Sequence, residues 1–184
     1  MTRTKPPKRT TPRPPIATSR IAWAPWAHGA RFGGRVRVLS STRAGAHVGV
    51  LIEELPPGKQ SCPAHYHLSE EEHIYVLDGE VTLRLGDARH RMKAGDFVSF
   101  PAGQAAGHCL INDGDRVARY LVVGESLPHD VCVYTDTDKV NVRALGEIYD
   151  RGARRDYWEG EPGDAPAPEP VRRRTAKKGP RRRR

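Results

Sequence analysis

Four residues have types and spacing that can do chemistry together: His65 and His67, two residues apart, Glu72 five residues further on, and a distant histidine at 108. In an extended chain, residues i and i+2 point to the same face, so both imidazoles of the pair project together while Tyr66 turns away. A helix would splay them. Glu72 follows across the polar turn 68–71 and enters at the start of the next strand; a slip of one residue would put Glu71 there instead. Imidazoles and a carboxylate are donors that suit a divalent metal, so residues 58–112 read as a metal site inside a small β-barrel. The plainer alternative is a set of core or surface histidines beside a solvated acidic turn at Glu70 and Glu71.

The elements that must position these residues are short strands. Alternation of apolar and polar residues predicts strands over 35–39, 48–55, 73–77, 80–85, 88–93, 95–101, 107–111, 117–123, 130–134 and 139–143, separated by Gly, Asp, Asn and Pro clusters. Asp78-Gly79 between two alternating runs predicts a hairpin, Gly86-Asp87 a second turn, and Asn112 to Arg116 a turn that pairs 107–111 with 117–123. Trp23, Trp26 and Phe32 are expected in an irregular arm that packs on the barrel, with lining of a ligand pocket as the other possibility. Tyr149, Tyr157 and Trp158 are expected to lie back on the barrel.

These residues resemble the cupin superfamily, whose first motif is roughly G-x5-H-x-H-x(3,4)-E-x6-G and whose second is G-x5-P-x-G-x2-H-x3-N. Gly58, His65, His67, Glu72 and Gly79 match the first, and Gly95, Pro101, Gly103, His108 and Asn112 the second. Six residues separate Gly58 from His65 and four separate Gly103 from His108, so the two connecting turns are longer by one and two residues. Ala106 cannot ligate, which leaves His108 to close the set. Residues 130–136 and 156–161 look like the C-terminal signature of a group of small single-domain bacterial cupins, and the likeness spans roughly 35–161.

The resemblance implies an all-β fold, a double-stranded β-helix or jelly-roll-like barrel. It also implies a divalent metal (Mn, Fe, Ni, Co or Zn) held by His65, His67, Glu72 and His108, with two octahedral positions left for exchangeable ligands. The chemistries implied are those of a metal-dependent enzyme, a dioxygenase, decarboxylase or isomerase acting on a small oxygen-rich molecule. A non-catalytic cupin that binds a small molecule or stores metal is the alternative. A homodimer is expected from the resemblance alone.

Length and charge bound the rest. The 184 residues suit one domain. Residues 1–15 carry five Lys/Arg and five Pro with no acid, and residues 171–184 carry nine Lys/Arg with no acid. Of the 31 Lys/Arg, 17 therefore lie between the tails against all 22 Asp/Glu, so the centre is net −5 while the whole chain is +9. The expected organisation is a disordered basic, Pro-rich tail over 1–15, a barrel with its arms over 16–161, and a linker and basic tail over 162–184. Tail 171–184 is a candidate for nonspecific nucleic-acid binding with steep salt dependence, against the simpler reading of a solvated extension. Cys62, Cys109 and Cys132 form no disulfide framework and fit a reducing compartment. Cys62 can approach the metal or stay an idle thiol. No run is long and apolar enough for a membrane span, and the prolines near the N-terminus oppose a targeting helix. The expected location is cytoplasmic.

Overall fold

A computed structural model describes residues 14–40 and 47–163. The expected tails over 1–15 and 162–184 lie almost entirely outside these residues. A 3-10 turn (Thr18–Arg20) leads into thirteen strands, and a second (Arg151–Ala153) follows them: β1 Ala24–His28, β2 Phe32–Ser40, β3 Val48–Leu55, β4 His65–His67, β5 Glu72–Asp78, β6 Glu80–Leu85, β7 Ala88–Lys93, β8 Phe97–Phe100, β9 His108–Ile111, β10 Ala118–Glu125, β11 Val131–Tyr134, β12 Lys139–Val142 and β13 Glu147–Asp150. They form a six-stranded sheet in the order β1-β2-β3-β10-β5-β8 and a seven-stranded sheet in the order β13-β12-β11-β4-β9-β6-β7. This is the double-stranded β-helix of the cupin barrel. Among the described residues no helix is long and apolar enough to cross a membrane.

The core lies between the sheets because each strand turns its alternate apolar residues inward. Leu55, Ile74, Val76, Phe100, Ala118 and Tyr120 come from one sheet, and Val81, Leu83, Met92 and Leu110 from the other. The opposite faces carry ion pairs. Arg35 and Arg119 bracket Glu54, Arg84 grips Asp136 at 2.8 and 2.5 Å, and Arg91 reaches Glu80 and Asp113. These four arginines are thus each tethered to an acid.

Two expected pairings are corrected. Asp78-Gly79 does not close a hairpin, because β5 pairs with β10 and β8 while β6 pairs with β7 and β9. The chain crosses from one sheet to the other there. Likewise 107–111 and 117–123 do not pair: β9 lies beside β4 and β6, and β10 between β3 and β5. Asn112 holds that second crossing. Fully buried, it donates through Nδ2 to the carbonyls of Leu55 and Arg116, each at 2.7 Å, and accepts the Gly114 N–H at 3.1 Å. The Gly86-Asp87 turn does join the paired strands β6 and β7.

Gly79 shows how tight the first crossing is. Its φ is +76°, and a Cβ built there would lie 2.8 Å from the Val117 carbonyl oxygen. Gly79→Ala is therefore expected to lower unfolding stability by about 1–3 kcal/mol. A urea melt that leaves the variant unchanged would refute this account of the crossing.

The expected N-terminal arm is more regular than the sequence suggests: residues 24–28 are a strand antiparallel to β2, with Trp26 opposite Gly34. Pro25 is tolerated because β1 is a sheet edge. A last strand not expected from the sequence, β13, pairs with β12. The described residues 154–163 belong to a unit separate from the barrel. Within it, Tyr157 and Trp158 meet edge to face at 4.6 Å and are 84% and 74% exposed.

Candidate metal centre

The ladder explains how residues so far apart in sequence meet. His65 and His67 project from β4 on one face, and His65 lies directly opposite His108 of β9. Glu72 begins β5 in the same register as Ile74 and Val76, both buried, whereas Glu71 is 55% exposed. Alternation along that strand thus puts Glu72, not its neighbour, on the inner side.

His65, Glu72 and His108 each offer one donor atom within 4.8 Å of the others. His108 Nε2 donates to Glu72 Oε2 at 2.9 Å, and its ring stacks on Phe100 at 3.7 Å with the planes 4° apart. His67 belongs to an overlapping group, with His65 and Cys132, at the same spacing. The rings of His65 and His67 meet edge to face at 5.0 Å. Each β4 imidazole has one nitrogen engaged by protein: His65 Nδ1 donates to the Pro63 carbonyl at 2.9 Å, and His67 Nδ1 to Asp130 Oδ2 at 2.7 Å. A hydrogen bond at Nδ1 leaves Nε2 as the ligating atom, which is how metal-bound histidines are commonly fixed. The donor set therefore fits a borderline divalent ion.

Electrostatics favour the ligating protonation states. Burial, with help from His108, holds the His65 imidazolium down, so the ring is neutral more readily than usual. Burial alone would raise Glu72, but the hydrogen bond and the charge of His108, with His65 and His67 nearby, outweigh it and keep the carboxyl below the ordinary range. Both groups bind fewer protons folded than unfolded. Their stability contributions are complete above their ordinary values of 6.5 and 4.5 and are lost as pH falls through the lower folded values. Metal-free protein should accordingly lose melting temperature below pH 6.5, and His65→Gln should flatten the upper part of that decline. Equal slopes in the two proteins would exclude His65 as the source.

Two buried polar clusters at the site were missed in the sequence. Behind His67, fully buried Asp130 also accepts the Ser69 N–H at 3.0 Å, and Glu70, 4% exposed, is clasped by Arg143. This corrects the reading of Glu70 as part of a solvated turn: a guanidinium from β12's end neutralises it. The second cluster is on β3. Glu53, 8% exposed, accepts the Tyr120 hydroxyl at 2.8 Å and the Trp26 indole N–H at 3.1 Å. Burial raises its carboxyl above the ordinary value despite those two bonds. An inward acid between Leu51 and Leu55 was the available signal. Cys62 lies 3.6 Å from His65 Nδ1, but burial pushes its thiol up, away from the thiolate a metal prefers.

Two cavities meet at this place. One of about 170 Å³ inside the barrel is lined by His65, Glu72 and His108 with Glu53, Phe100 and Tyr120. The other, about 450 Å³, lies under Trp26, His28, Phe32 and Val36. Glu53, Ser61 and Cys62 line both.

The cupin domain profile matches residues 51–124. SchB of Streptomyces halstedii is 32% identical over 117 residues, covering 62% of this chain and 83% of that protein. The tetracenomycin polyketide synthase protein TcmJ of Streptomyces glaucescens is 28% identical over 127 residues, covering 67% and 83%. The crystal structure of a cupin-superfamily sugar phosphate isomerase from Silicibacter pomeroyi superposes with a TM-score of 0.65 at 28% identity, covering 76% of this chain and 94% of that one. With strand order, both histidine motifs and relatives in agreement, this chain belongs to the cupin superfamily.

Proposed function

We propose that this cupin is a metal-dependent enzyme whose divalent ion is held by His65, His67, Glu72 and His108 and whose substrate is a small oxygen-rich molecule. The observation that carries the reading is the convergence of His65, Glu72 and His108 on an internal cavity. A bound ion there would supply Lewis acidity to substrate oxygens. The protein's own groups do the rest: Asp130 fixes the ring of His67, Phe100 fixes that of His108, and the barrel walls limit water. Glu53, on the same wall, can hold a proton taken from or returned to substrate carbon. Isomerisation and decarboxylation both need such a transfer and dioxygenation does not, so Glu53 favours the first two.

The Silicibacter relative is a sugar phosphate isomerase. Among the described residues lining the two cavities there is no Lys or Arg to take a phosphate, which supports a phosphate-free substrate here. Cys62, Cys109 and Cys132 are free thiols, in keeping with a cytoplasmic protein, and a homodimer remains part of the proposal on family resemblance.

Elemental analysis of the purified protein, as isolated and after incubation with Mn, Fe, Co, Ni or Zn, tests the reading. Near-stoichiometric metal supports it. A wild-type protein that takes up none of these ions would overturn it and leave a metal-free binding protein.

A further inference from the structure

Resting on the metal-centre reading above, we infer that the second cavity is a subsite for a flat aromatic ring system, whose hydroxylated end reaches past Glu53 to the histidines. The barrel cavity alone, about 170 Å³, falls below the roughly 300–1,000 Å³ usual for small-molecule sites. It can take a two-oxygen head group and little more. The neighbouring 450 Å³ space falls within that range and opens on the same wall, since Glu53, Ser61 and Cys62 face both. A ligand that fills the first therefore projects into the second.

The second cavity's chemistry selects the projecting part. Trp26, Phe32, Val36 and Pro63 give it an apolar, partly aromatic lining, suited to stacking on a planar ring. The sheet builds this surface deliberately: Trp26 faces Gly34 across β1 and β2, Val36 pairs with Glu53 across β2 and β3, and the indole is pinned to Glu53 by its N–H. Glu53 sits at the junction of the two cavities as a buried acceptor whose lone pairs are not exhausted by one bond per oxygen. A hydroxyl attached to the ring satisfies that junction, and an alkyl chain does not. A sugar would bring more hydroxyls than this largely apolar lining can satisfy.

The test compares catechol with 2,3-dihydroxynaphthalene on metal-loaded and metal-free protein, and 2-naphthol on metal-free protein, by calorimetry and tryptophan quenching. The added ring should tighten binding by roughly tenfold or more in the wild type. Val36→Phe, which fills the cavity, should bring the two diols to within roughly twofold while metal content and melting temperature are retained. If catechol binds and the naphthalene diol binds no tighter to wild type, the subsite is overturned while the metal centre stands. If neither diol needs metal but 2-naphthol binds and is excluded by Val36→Phe, the subsite stands and the metal reading falls. Loss of the ring preference together with a change of oligomeric state in Val36→Phe would assign this face to a second copy of the chain and overturn the proposal. Because the two diols are compared on unaltered protein, a variant that fails to fold does not remove the test.

Discussion

Glu72→Ala is expected to weaken metal binding at least about a hundredfold, because changing even a residue that only orients a ligand lowers affinity about 10–100-fold and Glu72 is the proposed site's one carboxylate donor. The variant should still fold. Glu72 makes its one side-chain hydrogen bond to His108, and burial works against its charge. In the intact protein the interactions with His108 outweigh that burial, and removing Glu72 leaves the buried His108 Nε2–H without this acceptor, so the apo melting temperature should fall modestly. The contrast appears on adding metal. At a free concentration a hundred times its dissociation constant, an ion stabilises the wild type by about 2.7 kcal/mol. The same concentration should leave Glu72→Ala almost unmoved. Equal stabilisation of both proteins would place the ion elsewhere, and the overlapping His67, Glu70 and Asp130 group would become the candidate.

The inward position of Glu72 was legible because Ile74 and Val76 continue its alternation, and the HxH pair because a strand puts both rings on one face. Those are local properties. Which strand pairs with which is not: Asp78-Gly79 has the composition of a hairpin turn, yet β6 finds its partner in β9, some thirty residues on, and the turn becomes a crossing. Residues 112–116 mislead in the same way. A tight polar turn is compatible with both outcomes, and the core between the two sheets decides. Glu70 shows a second limit. Beside Glu71 and Glu72 it reads as part of a solvated turn, and nothing within reach says otherwise. Its partner Arg143 is 73 residues away, so its burial depends on a contact no local pattern encodes. Glu53 lies between these cases. Its inward register between Leu51 and Leu55 was readable, but Tyr120 and Trp26, which make the burial tolerable, belong to other strands.

Asp130 links the fold to the proposed chemistry, and two substitutions there should separate its roles. Its carboxylate, wholly buried, accepts His67 Nδ1–H at 2.7 Å and the Ser69 N–H at 3.0 Å, with Arg143 at 3.8 Å. Asp130→Ala takes the shared acceptor from the Ser69 N–H and the His67 imidazole and leaves the Glu70–Arg143 pair without its neighbour. A loss of about 3–5 kcal/mol in unfolding stability is expected, as for other broken buried ion pairs. Asp130→Asn keeps the shape and one acceptor, so its loss should be nearer about 1–2 kcal/mol. For the metal the ranking should not follow stability. An asparagine amide can donate to His67 Nδ1, which moves the imidazole proton to Nε2 and blocks the nitrogen proposed to ligate. The milder change should therefore still weaken metal binding by about 10–100-fold, and the His67 ring should show the Nε2–H tautomer by nitrogen NMR in the metal-free protein. If Asp130→Asn bound metal as tightly as wild type, Asp130 would be a structural acid only, and the tautomer of His67 would have to be set by Glu70, whose carboxylate lies 3.3 Å from the same nitrogen.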